Sequence, residues 1–222
     1  VLPDAKVDMT ASNVVASMSG CAGQRCMAAS AMIGVGNVDA VVSKICEEAL
    51  KVVPGKNLGA VINNDSKIRI EQYIADAEKQ GAKILVDGRN VVVEGKEKGS
   101  YVGPTVIDFV TPEMSVAKEE IFGPVISIMR TNTIDEALAI ENANPYGNAA
   151  SVFTQNGGAA RYIIDNASAG MIGVNVGVPV PREPFSFGGW NESKFGVGDI
   201  TGKSSIEFWT KLKKSTTKWN AE

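Results

Sequence analysis

Apolar residues recur along this chain at helical spacing, then in short unbroken runs, then at helical spacing again. Val7, Val14, Val15 and Met18 mark a helix over 4–17 for which Asp4 is the expected cap. Gly20 and Gly23 break it, so residues 21–26 form a loop, and a short second helix is expected after it. The run Ala31-Met32-Ile33-Gly34-Val35 reads as a buried strand. Val41, Val42, Ile45, Ala49 and Val52 place one apolar face on a helix over 39–53, with Cys46 on the core side.

Pro54-Gly55 ends that helix. Ile68, Ile70, Tyr73, Ile74 and Ala77 predict another over 65–80, capped by Asp65 and closed by Gly81. Strands are expected at 83–86, 91–93, 101–110, 125–129, 149–153 and 172–174, with helices at 133–142 (capped by Thr133) and 158–166. Strands alternating with helices at this spacing predict βαβ units: an α/β fold with a mostly parallel, twisted sheet and helices on both faces. After residue 178 the texture changes. Pro179, Pro181 and Pro184 exclude helix, and Phe185, Phe187, Trp190 and Phe195 stand among glycines in a long loop. Ile206, Phe208, Thr210 and Leu212 share one phase, which predicts a closing strand over 206–219 able to join a partner's sheet.

The 222 residues carry 44% hydrophobic and 21% charged side chains, which is ordinary globular usage. No apolar run reaches membrane-span length. The net charge of −3 argues against binding a nucleic-acid backbone. The chain opens Val-Leu-Pro-Asp, without Met and in mid-element, which reads as a fragment or a processed chain. Three cysteines do not make a disulfide framework; they fit a reducing compartment and a protein that is not secreted.

The absence of histidine changes the picture most. It removes Ser-His-Asp and Cys-His mechanisms carried by this chain alone, and most zinc hydrolase sites. The stretch Gly23-Gln24-Arg25-Cys26-Met27-Ala28-Ala29 then stands out. Cys26 follows an arginine, and the small residues that come after it do not cover the sulfur, the setting of a reactive thiolate. The plainer alternative is a buried, inert cysteine.

Four stretches occur in one order: Gly23-Gln24-Arg25-Cys26; Glu119-Glu120-Ile121-Phe122-Gly123-Pro124-Val125; 144–154 (NPYGNAASVFT); and Gly173-Val174-Asn175 with Pro184-Phe185-Ser186-Phe187-Gly188-Gly189 and Ser193-Lys194. Together they resemble the aldehyde dehydrogenase superfamily across almost the whole chain. Arg25 and residues 179–190 resemble its acylating, semialdehyde-oxidising branch. That resemblance implies a catalytic domain over 1–203 and an oligomerisation strand or tail over 204–222, in a parent homodimer or homotetramer. It implies oxidation of a short carboxylated semialdehyde by NAD, with Cys26 as nucleophile and coenzyme A as acyl acceptor, in valine and inositol breakdown. The bacterial cytoplasm or the mitochondrial matrix is the implied setting.

The resemblance also assigns Glu120 to the nicotinamide ribose, Phe122 to the nicotinamide ring, and Phe185 and Phe187 to the substrate funnel. Arg25 has two possible roles, lowering the Cys26 pKa or clamping the substrate carboxylate, and the second suits a semialdehyde acid better. Two other readings stand beside this one. The first is a hydrolytic relative acting on another aldehyde class; the second is an inactive module used in assembly. No Gly-x-Gly-x-x-Gly stretch is present, so this polypeptide by itself is expected to be inactive and to hold NAD weakly.

Overall fold

A computed structural model describes residues 1–219. Its centre is the strand β4, Val125–Thr131, whose residues Val125 to Met129 are all buried because helices cover both sides of it. β1 (Ala31–Val35) and β3 (Thr105–Asp108) flank it in parallel. β2 (Lys83–Val86) adds antiparallel to β3, which makes a four-stranded sheet in the order β1-β4-β3-β2. The chain also forms a parallel pair, β6 (Ala149–Val152) with β7 (Met171–Val174), and a short antiparallel pair, β5 (Tyr146–Gly147) with β8 (Trp190–Asn191).

Alternate residues of each strand face opposite sides, and so split the core in two. On one side Met32, Val106, Ile126 and Ile128 pack under α1 (Val7–Ser19) and α2 (Asp39–Ala49). On the other, Ile33, Ile107, Val125 and Met129 pack under α3 (Asn64–Lys79), together with Ile140 of α5 (Ile134–Asn142). A one-turn helix α4 (Ser115–Lys118), α6 (Gly157–Asn166) and α7 (Ser205–Trp209) complete the chain. This is the α/β arrangement expected, with a mixed, mostly parallel sheet.

Helix starts show which side chains compete for backbone donors. Thr133 caps α5 as expected, in a reciprocal capping box with Glu136. Asp4 caps nothing; its carboxylate accepts from the Thr154 hydroxyl and the Gln155 N–H, and α1 starts at Val7. Asn63, not Asp65, caps α3 by accepting the Ser66 N–H at 2.8 Å, and Asp65 sits in the first turn. α2 ends at Ala49, four residues early, in a turn leading to Pro54.

Two expected strands are absent. Residues 91–93 are loop: no strand lies beside them and Val92 is 75% exposed. The expected closing strand begins instead as the helix α7, and 210–219 have no regular structure. Residues 220–222 of that expected tail lie outside the described residues. A strand needs a neighbour to accept its backbone bonds, and Ile206, Leu212 and Trp219 are all largely exposed here.

Candidate active site

Cys26 sits on the loop between α1 and β1, and its side chain is exposed. The loop leaves α1 through a 3₁₀ turn, Gly20–Gly23, in which Cys21, Ala22 and Gly23 all take positive φ, 53°, 55° and 71°. Two of these three are not glycine, so the turn is held in a costly conformation, a kind of strain that clusters at functional sites. No helix follows Cys26. A single turn closes between the Arg25 carbonyl and the Ala28 N–H, the Ala29 N–H goes to Ser17 Oγ, and the Ser30 carbonyl already accepts from β4. The helix N-terminus expected beside the sulfur is therefore replaced by a turn.

Gly23 joins this loop to the Glu120 loop. A Cβ on Gly23 would lie 2.0 Å from the Gly123 carbonyl oxygen, so the two backbones touch where only hydrogen fits. Gly123 is pressed from behind by Ile70 of α3, and Tyr73 of the same helix donates its hydroxyl to Glu119. That bond also pushes the Tyr73 phenol pKa up. Phe122 is held at φ 54° and is half-buried, and Glu120 is exposed. Residues 119–123 are thus buttressed by α3 and locked to the nucleophile loop.

One cleft of about 1360 Å³ is lined by Cys26, Arg25, Glu120, Phe122 and Phe187. These five expected site residues, spread over 163 positions of sequence from Arg25 to Phe187, share one space. Phe185 does not line it; it is 72% exposed on the loop outside. The expectation that Phe185 shapes the funnel is not met by this arrangement, because the Pro184 turn points the residue to solvent while Phe187 is tied in through its N–H to Thr201 Oγ1.

Arg25 has a structural partner. Its Nη2 donates to the carbonyls of Ala16 (3.1 Å) and Ser17 (3.0 Å), near the end of α1, where a cation is favoured. Gly20 leaves the room, since a Cβ there would meet the guanidinium at 2.3 Å. Arg25 Nε is buried without a partner.

Asn148 was not singled out from sequence. Its Nδ2 donates to the Cys26 carbonyl at 3.0 Å and to Met27 Sδ at 3.4 Å, from 122 positions away. Asn148 lies between β5 and β6, and the β5 end is pinned by the Gly147 N–H to Ser193 Oγ. Nothing in its residue type announced this role; only the fold brings it to the nucleophile. Of the other cysteines, Cys21 is exposed, and Cys46 is half-buried in α2, where burial and then Asp108 push its thiol pKa up.

The profile of the aldehyde dehydrogenase family matches residues 1–215. The chain belongs to the aldehyde dehydrogenase family. It is 45% identical, over 227 residues, to the mitochondrial acylating methylmalonate-semialdehyde dehydrogenase of Arabidopsis thaliana, covering 99% of this chain and 37% of the relative. Among solved structures it is similar to methylmalonate-semialdehyde dehydrogenase from Oceanimonas doudoroffii, with a TM-score of 0.91 at 41% identity, covering 100% of this chain and 47% of that one. A Sinorhizobium meliloti structure complexed with NAD matches with a TM-score of 0.91 at 37% identity, over 100% of this chain and 47% of its own. The chain therefore spans less than half the length of these relatives. Among the described residues no helix is long and apolar enough to cross a membrane, and no cluster of metal-ligating side chains occurs.

Proposed function

We propose that this chain is the nucleophile-bearing part of an acylating methylmalonate- or malonate-semialdehyde dehydrogenase. The observation that supports it most directly is the backbone lock between Gly23 and Gly123. It sets the Cys26 loop and the Glu120–Phe122 loop against one cleft. The likeness to relatives that bear that name supports the substrate class.

The chain's own residues divide the work as follows. Cys26 Sγ, as thiolate, adds to the aldehyde carbon, and the carbonyl oxygen becomes an oxyanion. The Cys26 backbone N–H is the donor this chain offers to that charge, and Asn148 fixes the following peptide unit, Cys26–Met27, by donating to the Cys26 carbonyl. Arg25 lines the same cleft as Cys26, and in this reading the guanidinium donors left over from the Nη2 anchor to α1 serve the substrate carboxylate. Phe187 walls the aldehyde side.

The residues fit one end of NAD. Exposed Glu120 offers a carboxylate to ribose hydroxyls, and half-buried Phe122 offers an apolar ring face to the nicotinamide. NAD, when bound, takes up hydride from the carbon attached to sulfur. Cys26 then carries the acyl group as a thioester. An incoming thiol, coenzyme A in this reading, takes that group and releases the Cys26 thiolate, with CO2 lost from the product. No residue of this chain is assigned to coenzyme A. A homo-oligomeric parent and a reducing compartment accompany the reading.

Competitive alkylation tests it. Iodoacetamide at pH 7.5 is expected to label Cys26 at least about tenfold faster than Cys21, because Cys26 opens into the cleft, which holds and orients a small reagent, and Cys21 does not line it. Cys46 is expected to be slowest. Peptide mass mapping reads the three rates, and equal labelling of the exposed pair would sink the assignment.

A further inference from the structure

Glu120 stands on a loop that its own backbone holds weakly. Among the described residues, the backbone groups of 120–122 make no hydrogen bond to other backbone groups. The loop nevertheless keeps Phe122 at φ 54°, which a bulky side chain tolerates only where its surroundings over-determine it. Both ends of the loop are fixed, and by one face of α3. Ile70 and Tyr73 are three positions apart, so their side chains are neighbours on that helix. Ile70 packs against Gly123, where an added Cβ would come within 2.7 Å of its Cδ1. Tyr73 reaches the other end and donates its hydroxyl to the Glu119 carboxylate.

The Tyr73 end governs where Glu120 points. Glu119 closes α4, with its N–H on the Ser115 carbonyl at 2.8 Å, and its backbone is extended at φ −109° and ψ 148°. Successive side chains on extended backbone leave on opposite sides. A Glu119 carboxylate turned to α3 therefore turns Glu120 away from that helix, into the cleft it lines. On the other side of Glu120, Ile121 is 1% exposed and packs in the core of Ile70 and Ile74. Glu120 is thus held between one polar tie and one buried side chain. The polar tie is a hydroxyl-to-carboxylate bond, the charge-assisted kind. The Tyr73 ring is half-buried, with the Arg69 guanidinium 5.8 Å from its centroid.

We propose that Tyr73 is a positioning residue of the cofactor site: its hydroxyl, through Glu119, sets the Glu120 carboxylate to meet the ribose hydroxyls of NAD. This rests on the reading of Glu120 given above and adds a requirement to it, a donor on α3. Phenylalanine at position 73 keeps the ring, its packing and the contact with Arg69, and loses only the tie. The Ile70 end, and with it the junction of Gly123 and Gly23, stays as it is. The loss is therefore confined to the cofactor.

Kinetics and amide hydrogen exchange test it in the longer enzyme of which this chain is proposed to be part. Tyr73→Phe and Glu119→Ala are each expected to raise the KM for NAD at least about fivefold, and to speed exchange of the 120–122 amides without NAD by a similar factor. The KM values for aldehyde and coenzyme A are expected to stay unchanged. The double variant should match Glu119→Ala alone, because both substitutions remove one interaction. Glu119→Gln keeps an oxygen acceptor and should hold the KM for NAD within about twofold of the parent. Glu120→Gln separates the proposal from the reading beneath it. If Glu120→Gln weakens NAD and Tyr73→Phe does not, the positioning role is refuted and the reading of Glu120 stands. If neither affects NAD, both are refuted. If Tyr73→Phe raises all three KM values together, or leaves the 120–122 amides unchanged, Tyr73 is a structural residue only and the proposal falls.

Discussion

Glu141, at the C-terminal end of α5, lines the cleft and accepts the Ser168 N–H at 3.0 Å. Burial raises its pKa and that hydrogen bond only partly opposes the rise. A carboxyl group whose pKa is higher folded than unfolded binds more protons in the native state, so stability falls as pH rises through the window above the ordinary value near 4.3. Glu141→Gln keeps an oxygen acceptor and removes the ionisation. It is expected to stabilise the protein at pH 7 and to make no difference at pH 4, read as urea midpoints at the two values. A larger benefit at pH 4 would contradict the burial argument. Arg25 and Cys26 behave differently as legible residues. Their adjacency, and the lack of any histidine, were visible in the sequence. The capture of the Arg25 guanidinium by the end of α1 was not, because the carbonyls of Ala16 and Ser17 are acceptors in every residue type.

The two loops that make the site are elements without regular structure, and each is made rigid by a neighbour. Three consecutive left-handed residues shape one, and α3 braces the other through Ile70 and Tyr73. Their junction is Gly23 against Gly123, so a methyl group at position 23 meets a backbone carbonyl as well as an unfavourable φ. Gly23→Ala is expected to cost about 1–3 kcal/mol of stability by urea denaturation. It should also reduce any rate advantage of Cys26 over Cys21 in alkylation, because the loop must shift. An alanine variant as stable as the parent, with unchanged labelling, would mean that the loops are not locked there. Helices and strands were legible where apolar periodicity was strong, as in α2, α3 and β4. The unbroken valine run 91–93 and the partly alternating 206–219 form no strand, because strand formation also needs an available edge.

At the scale of the molecule, the chain presents a nucleophile and an exposed carboxylate, Glu120, to one cleft, and its sequence has no Gly-x-Gly-x-x-Gly turn of the kind that holds a pyrophosphate. Binding of a dinucleotide draws much of its strength from such a turn at a helix N-terminus. This 222-residue polypeptide, given NAD, coenzyme A and malonate semialdehyde, is therefore expected to form no NADH above the background without protein. Absorbance at the NADH band reads the result, and steady turnover would show that the chain holds NAD by other means. Large exposed apolar residues gather late in the chain, Phe195 at 84%, Trp209 at 70% and Leu212 at 84% among them. The division into 1–203 and 204–222, with the second part meeting a partner, remains our proposal for that surface.

Local order carried the α/β class, most element positions, the candidate nucleophile and the motifs that mark the family. All of these rest on interactions within a few residues or on side-chain types that are rare elsewhere in the chain. Three things came only from the tertiary structure: Asn148 on the Cys26 carbonyl, Gly23 against Gly123, and the second role of Arg25. Each depends on backbone groups meeting across long sequence separations. Backbone groups are the same in every residue, so no local pattern of side chains records where they meet.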